Sequence, residues 1–235
     1  MERPIFHPVG TPIEQLDTPA LVIDLDVMDR NIRTFQSYFA DSSVKTRPVV
    51  TSHLCPQIAR RQLESEGTNG GVAVTTLGEA EVFANSGFAD ILLANQVVTA
   101  SKIKRLCALG SQARIGIAVD NPDNAKQLSE GAVASGVELR VLVEIEAGMG
   151  RCGVVPGPPA VALAQTIEGL PGLKFDGIMG SVPGPKSDDD LLSHESKTQT
   201  DLQVVLDNKA AIEQDGLPVG VVSVGGTHCY VPVSY

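Results

Sequence analysis

What the sequence lacks narrows it first. No two of its four cysteines, Cys55, Cys107, Cys152 and Cys229, stand at CxxC spacing. Neither a zinc site nor a disulfide framework is indicated, and free thiols in a reducing cytoplasm are the expectation. Lys and Arg number 18 against 28 Asp and Glu, a net charge of −10. A nucleic-acid surface or an anionic-membrane surface needs clustered cations, so both are argued against. The opening MERPIFHPVG lacks the basic start and apolar run of a signal peptide. The longest uncharged stretch, Gly216 to Tyr235, is interrupted by four Gly and two Pro and reads as strand plus loops, not as a membrane span.

What is present is an alternation of apolar strand-length runs with helix-period segments. The first run is ALVIDLD (20–26), followed by a helical stretch from about Val27 to Phe39. TRPVVT (46–51) precedes a helix over 55–65, and GVAVTT (71–76) precedes a helix whose C-terminal cap is Gly87. ADILLAN (89–95), RIGIAVD (114–120), LRVLVEIE (139–146), FDGIMGSV (175–182) and GVVSVGG (220–226) continue the series, with a helix start at Asn121-Pro122 and helices near 157–170 and 190–215. The runs are continuously apolar and rich in Val and Ile, as parallel strands covered on both faces must be.

Leaving the first run aside, seven strands at barrel spacing are predicted. A closed (β/α)8 TIM barrel needs one more. A single domain over 1–235, an α/β barrel truncated at its C-terminus, is therefore expected, the alternative being that ALVIDLD fills the gap. An absent strand would leave unpaired edges, so a homodimer is a possible outcome.

In such barrels the working face is built from the C-terminal ends of the strands. Those ends supply Thr51-Ser52-His53, Thr75-Thr76, Asn95-Gln96, Asp120-Asn121, Glu146 through Arg151, Ser181 and Gly225-Gly226-Thr227-His228. Gly225, Gly226 and Thr227 follow the seventh strand, where this fold often binds phosphate on exposed backbone N–H groups; a plain Gly-Gly turn is the competing reading. Arg151, in GMGRCG, is the cation predicted close after a strand end; it faces an anion or ring nitrogen, or else pairs with Glu144 or Glu146. His53 is a general-base candidate or a histidine satisfied by local hydrogen bonds. Glu79 and Glu81 are read as first-turn carboxylates offsetting a helix dipole, and Ser187 to Asp190 as a solvated helix start.

Together LDTPALVIDLD, RPVVTSHLCPQIARRQL, VAVTTLGEAEVFANSGFADILLANQVV, VLVEIEAGMGRCGV and VVSVGGTHCY resemble the D-threonine aldolase and D-serine dehydratase family, pyridoxal-phosphate (PLP) enzymes on an alanine racemase-like barrel. The resemblance covers about Leu16 to Tyr230 and implies a lyase acting on small D-3-hydroxy amino acids. It implies that Arg151 faces the cofactor's pyridine nitrogen, that Gly225, Gly226 and Thr227 hold its phosphate, and that Thr76 and Asn95 line the cofactor site. The family's first-strand motif R-P-H-x-K-T-H-K carries the Schiff-base lysine. Laid on Arg47 to Leu54, that lysine falls on Thr51, and only His53 keeps its type beyond the opening Arg47-Pro48. A threonine cannot make that bond, so PLP is expected to be held non-covalently. Lys45, six residues back, is about 20 Å away along a strand; Lys174 lies at a strand's start; Lys186 lies in a working-face loop. The family's C-terminal β-domain, with its divalent-metal ligands, is expected to be missing along with the eighth strand. The alternative function is a non-catalytic relative that binds PLP or another phosphorylated ligand. An amine placed at position 51 would be expected to shed its proton readily, through desolvation and the nearness of Arg151.

Overall fold

A computed structural model describes residues 7–183, 191–226 and 230, and the side chains of 191–195 are outside that description. The helices are α1 (Leu25–Ser37), α2 (Pro56–Leu63), α3 (Leu77–Asn85), α4 (Ala100–Leu109), α5 (Pro122–Ser135), α6 (Pro158–Glu168) and α7 (Leu191–Gln214). The strands are β1 (Val72–Val74), β2 (Asp90–Leu93), β3 (Arg114–Val119), β4 (Leu139–Ile145), β5 (Leu173–Gly180) and β6 (Val221–Val224). All pair in parallel, in the order β1-β2-β3-β4-β5-β6. This is a curled, incomplete α/β barrel with its helices on the outside.

Residue alternation along each strand sets which side chains face where. Val72, Val74, Ile91, Leu93, Ile115, Ile117, Val141 and Val143 point outward and form the main core with the helices. Ala73, Leu92, Ala118, Leu142 and Met179 form a second, smaller cluster on the inner face. Phe83 of α3, 1% exposed, anchors the outer core; burial of such a ring is worth roughly 2–3 kcal/mol.

Local signals start and stop the helices. Asn121 caps α5 by accepting from the N–H of Asp123 and Asn124, with Pro122 next in the first turn. Gly87, at φ +85°, closes α3: its own N–H reaches Ala84 and that of Phe88 reaches Phe83. Gly177, at φ +155°, sits where the β4–β5 register shifts, and a Cβ there would lie 2.0 Å from the Val221 carbonyl oxygen.

Two expectations change. ALVIDLD is not a strand: α1 begins at Leu25 with Asp24 as its cap, and Leu21, Val22 and Ile23 stand exposed. The TRPVVT segment is only a rudiment of a strand. Thr46 and Val49 bridge in parallel to Thr68 and Ala73, then Val50–Ser52 tightens into a 3-10 turn. The acidic run ending at Asp190 and Lys186 lie outside the described residues. Among the described residues, no helix is long and apolar enough to cross a membrane.

Candidate active site

The inner-face alternation continues past the strand ends and selects the side chains that meet at the rim. On the first segment Arg47, Val49 and Thr51 follow one another at two-residue spacing, and Val49 bridges Ala73. One step further, Thr51 is level with Thr75, their hydroxyl oxygens 3.3 Å apart. The Thr51 hydroxyl donates to Glu79 Oε2 at 2.9 Å, and the Thr75 N–H donates to the same oxygen at 2.9 Å. Burial pushes the Glu79 carboxyl up, but hydrogen bonds from Thr75, Thr51 and Thr76 outweigh it and hold it below the usual range.

From Thr75 the polar chain runs along the rim. Asn95 donates to the Thr75 carbonyl at 3.0 Å, and its own amide oxygen accepts the N–H of Gln96 at 3.0 Å. Gln96 then reaches across β3 to the buried Glu144 of β4, Nε2 to Oε2 at 2.5 Å. The other oxygen of Glu144 accepts the Cys152 thiol at 3.1 Å. Burial, then Glu144, push that thiol up, partly offset by neighbouring Arg151.

Arg151 is exposed on a loop pinned by carboxylates. Glu146 accepts the N–H of Gly148 at 3.0 Å and of Gly150 at 2.7 Å, and Asp120 accepts that of Gly153 at 3.0 Å. Gly153 is at φ +108°, and a Cβ there would lie 2.5 Å from the Glu146 nitrogen. From outside, the buried Asp201 of α7 packs against Gly148 while paired with Lys197 at 2.7 Å. The alternative reading, Arg151 paired with Glu144 or Glu146, is not what forms: an amide and a thiol take the two oxygens of Glu144, and Glu146 Oε1 takes two backbone N–H groups.

The other sequence candidates divide. Thr76 caps α3 by accepting the Glu79 N–H at 3.2 Å. Glu79 does more than offset a helix dipole, since it crosses to the neighbouring segment, whereas Glu81 pairs with Arg105 of α4. His53 Nδ1 accepts the Cys55 N–H at 3.1 Å and Nε2 lies 3.2 Å from Gln62 Oε1. Both ring nitrogens are therefore occupied locally. Lys45 donates to the carbonyls of Phe39 and Ala40, away from the rim. Gly225, at φ +87°, turns the backbone directly after β6, and Gly226 follows; Thr227 and His228 lie outside the described residues. Gln96, Glu144, Asp120 and Lys197 are the rim groups whose contacts the sequence did not disclose. The two-residue period within β4, and the same period carried one step beyond β3, is the signal that points to Glu144 and Asp120.

Two features of the rim are of the kind that would hold a phosphorylated ring such as PLP without a covalent bond. The Gly225 turn suits a phosphate and Arg151 is an exposed donor on a fixed loop. The rim does not fit a covalent anchor at position 51, where the side chain is a hydroxyl committed to a carboxylate. Among the described residues no group of three His, Cys, Asp or Glu is arranged to hold a metal.

Similarity to known proteins bears on the family and the fold. The alanine racemase N-terminal domain model matches residues 23–234. A D-threonine aldolase of Arthrobacter sp. is 38% identical over 169 residues, 72% of this chain and 44% of the relative. A 3-hydroxy-D-aspartate aldolase of Paracoccus denitrificans is 33% identical over 222 residues, 94% of this chain and 57% of the relative. The crystal structure of D-threonine aldolase from Filomicrobium marinum superposes with a TM-score of 0.86 at 34% identity, covering 93% of this chain and 58% of that one. The chain thus spans about half the length of the curated relatives it matches. Sequence and fold together place this chain in the alanine racemase N-terminal domain family.

Proposed function

We propose that this chain carries the cofactor-holding part of a lyase site for D-3-hydroxy amino acids such as D-threonine or D-serine, and that it holds PLP without a covalent bond. The observation that carries this reading is the rim itself. Arg151 stands on a carboxylate-pinned loop after β4, Gly225 turns the backbone after β6, and Thr51 occupies the place where the resemblance puts the lysine. The Gly225-Gly226 turn would hold the phosphate and Arg151 the ring nitrogen. Glu146 and Asp120 keep Arg151 in place. Bound PLP would supply an electron-withdrawing ring and an aldehyde. An arginine beside the ring nitrogen leaves that nitrogen unprotonated, which limits the ring's electron demand and suits cleavage over deeper electron withdrawal.

A second reading, a non-catalytic relative that binds PLP or another phosphorylated ligand, is favoured by one contact: the Thr51 hydroxyl is engaged with Glu79. One experiment separates the two. PLP is titrated into the purified chain and followed by absorbance, then D-threonine and D-serine are added and aldehyde and keto-acid products measured. Binding with turnover supports the lyase, binding alone supports the relative, and no spectral change with excess PLP rejects both.

A further inference from the structure

Glu79 is a partner of position 51 that the family resemblance did not assign. It reaches from the first turn of α3 to a different segment of the chain and takes the Thr51 hydroxyl at 2.9 Å. Its Oε2 also takes the Thr75 N–H at 2.9 Å, the Thr75 hydroxyl lies 3.5 Å from Oε1, and Thr76 adds further hydrogen bonding to the carboxylate. The groups facing it are Thr51 on the 3-10 turn and Thr75 and Thr76 before α3, and none of them is charged. A carboxylate therefore stands at this corner held by neutral donors alone, with no cation against it among the described residues. The Thr51 hydroxyl has given away its hydrogen, so it too offers only lone pairs to the mouth.

We propose that Glu79 is the counter-ion for an amine at or beside position 51, so that this corner of the mouth receives an ammonium group, which can condense with an aldehyde only after it leaves the carboxylate and gives up its proton. The inference rests on the reading of the rim as an amino-acid site. It reverses the expectation that an amine at position 51 would lose its proton easily, because the group it touches is an anion. Condensation of an amine with an aldehyde requires the nitrogen lone pair to add to the carbonyl carbon, after which the oxygen leaves as water. A nitrogen kept as ammonium has no lone pair to give.

The test uses the full chain with T51K, T51K/E79Q and T51M, and native chain with E79Q. After PLP and borohydride at neutral pH, T51K/E79Q should be labelled at residue 51 roughly tenfold more than T51K, and without PLP T51K should melt above T51M, an advantage that E79Q removes. Equal labelling together with equal melting overturns the proposal. On the native chain, which covers the case of a T51K that does not fold, E79Q should weaken D-serine binding roughly tenfold while 3-hydroxypropionate, which lacks the nitrogen, binds as before. Unchanged D-serine affinity in E79Q, or no D-serine binding by native chain, also overturns it. Failure of PLP to bind is read separately by absorbance, and then the melting and D-serine comparisons decide alone.

Discussion

Tyr230 meets Phe35 edge-on, with ring centroids 5.0 Å apart. It also lies 5.3 Å from Tyr38 at 89° and 6.0 Å from Phe39. Aromatic residues make up only 4% of the chain, yet four converge here. The contact joins residue 230, past the last described strand, to the helix that precedes the first strand-like segment. Two ends of the strand series are thereby tied through side chains, not through backbone pairing. Tyr230→Ala should lower stability by about 2 kcal/mol, toward the lower end of aromatic truncations because the site is partly exposed. Thermal unfolding by circular dichroism checks this, and an unchanged midpoint would mean that the cluster contributes nothing.

At the N-terminal ends of the strands, Asp90 of β2 sits between Arg47 at 2.7 Å and Arg140 at 2.9 Å, and Arg140 also reaches Asp176 at 3.1 Å. Burial pushes the Asp90 carboxyl up, but Arg47 and Arg140 outweigh it and leave it below the usual range. A depressed carboxyl contributes stability that is present above its unfolded value, about 3.9, and is lost as pH falls through the folded value. Asp90→Asn leaves two largely buried guanidinium groups facing a neutral amide, and should cost about 3 kcal/mol at neutral pH. The difference from native chain should shrink in acid. A pH-independent difference in urea unfolding would contradict the assignment.

The arginine loop depends on Gly153. Ala in its place would combine a left-handed backbone with a Cβ 2.5 Å from the Glu146 nitrogen. Gly153→Ala should reduce PLP affinity by roughly tenfold through displacement of Arg151, and Arg151→Ala should do about the same. Combining the two should add little, because both act on one contact. Additive losses in absorbance titrations would show that the loop and Arg151 serve PLP separately.

Phosphate recognition is tested at Gly225. Native chain should bind PLP more tightly than pyridoxal by roughly tenfold or more, and Gly225→Val, strained at φ +87°, should erase the preference. Equal affinity of the two ligands for native chain would remove the phosphate role from this turn.

Acid should also act at the rim. The Glu79 carboxyl is held below its ordinary value, about 4.3, so its stabilising contribution is complete above that pH and fades as pH falls through the folded value. Glu79→Gln should therefore destabilise by about 1 kcal/mol near neutrality and by less in acid. A Gln variant as stable as native chain at pH 7 would mean that the contacts with Thr51 and Thr75 are energetically neutral.

Much of the fold was legible from local pattern. Continuous Val and Ile runs named the parallel strands, and Asn121-Pro122 and Gly87 placed a helix start and a helix end to within a residue. The alternative in which ALVIDLD fills the gap failed, because Asp24 caps α1 there and Leu21 to Ile23 stay exposed. Residues 46–51 were misread in degree. A parallel neighbour is present there, but pairing is confined to Thr46 and Val49 before the chain tightens. The candidate site was half legible. The positions of Arg151 and Gly225 after their strands followed from the sequence, whereas Glu79 was assigned to its own helix because sequence spacing cannot show a side chain crossing to another segment.

By itself the sequence determined the parallel α/β class, the position of the rim, and the residue types available there, including a threonine at position 51. These follow from local periodicity and backbone preference, which act between near neighbours in the chain. Only the tertiary structure decided what those residues do for one another. Gln96 meets Glu144 48 residues away, Asp120 holds the Gly153 N–H 33 residues away, and Thr51 meets Glu79 28 residues away. Strand register and barrel curvature bring such groups within hydrogen-bond distance, and neither is encoded in any short stretch of sequence.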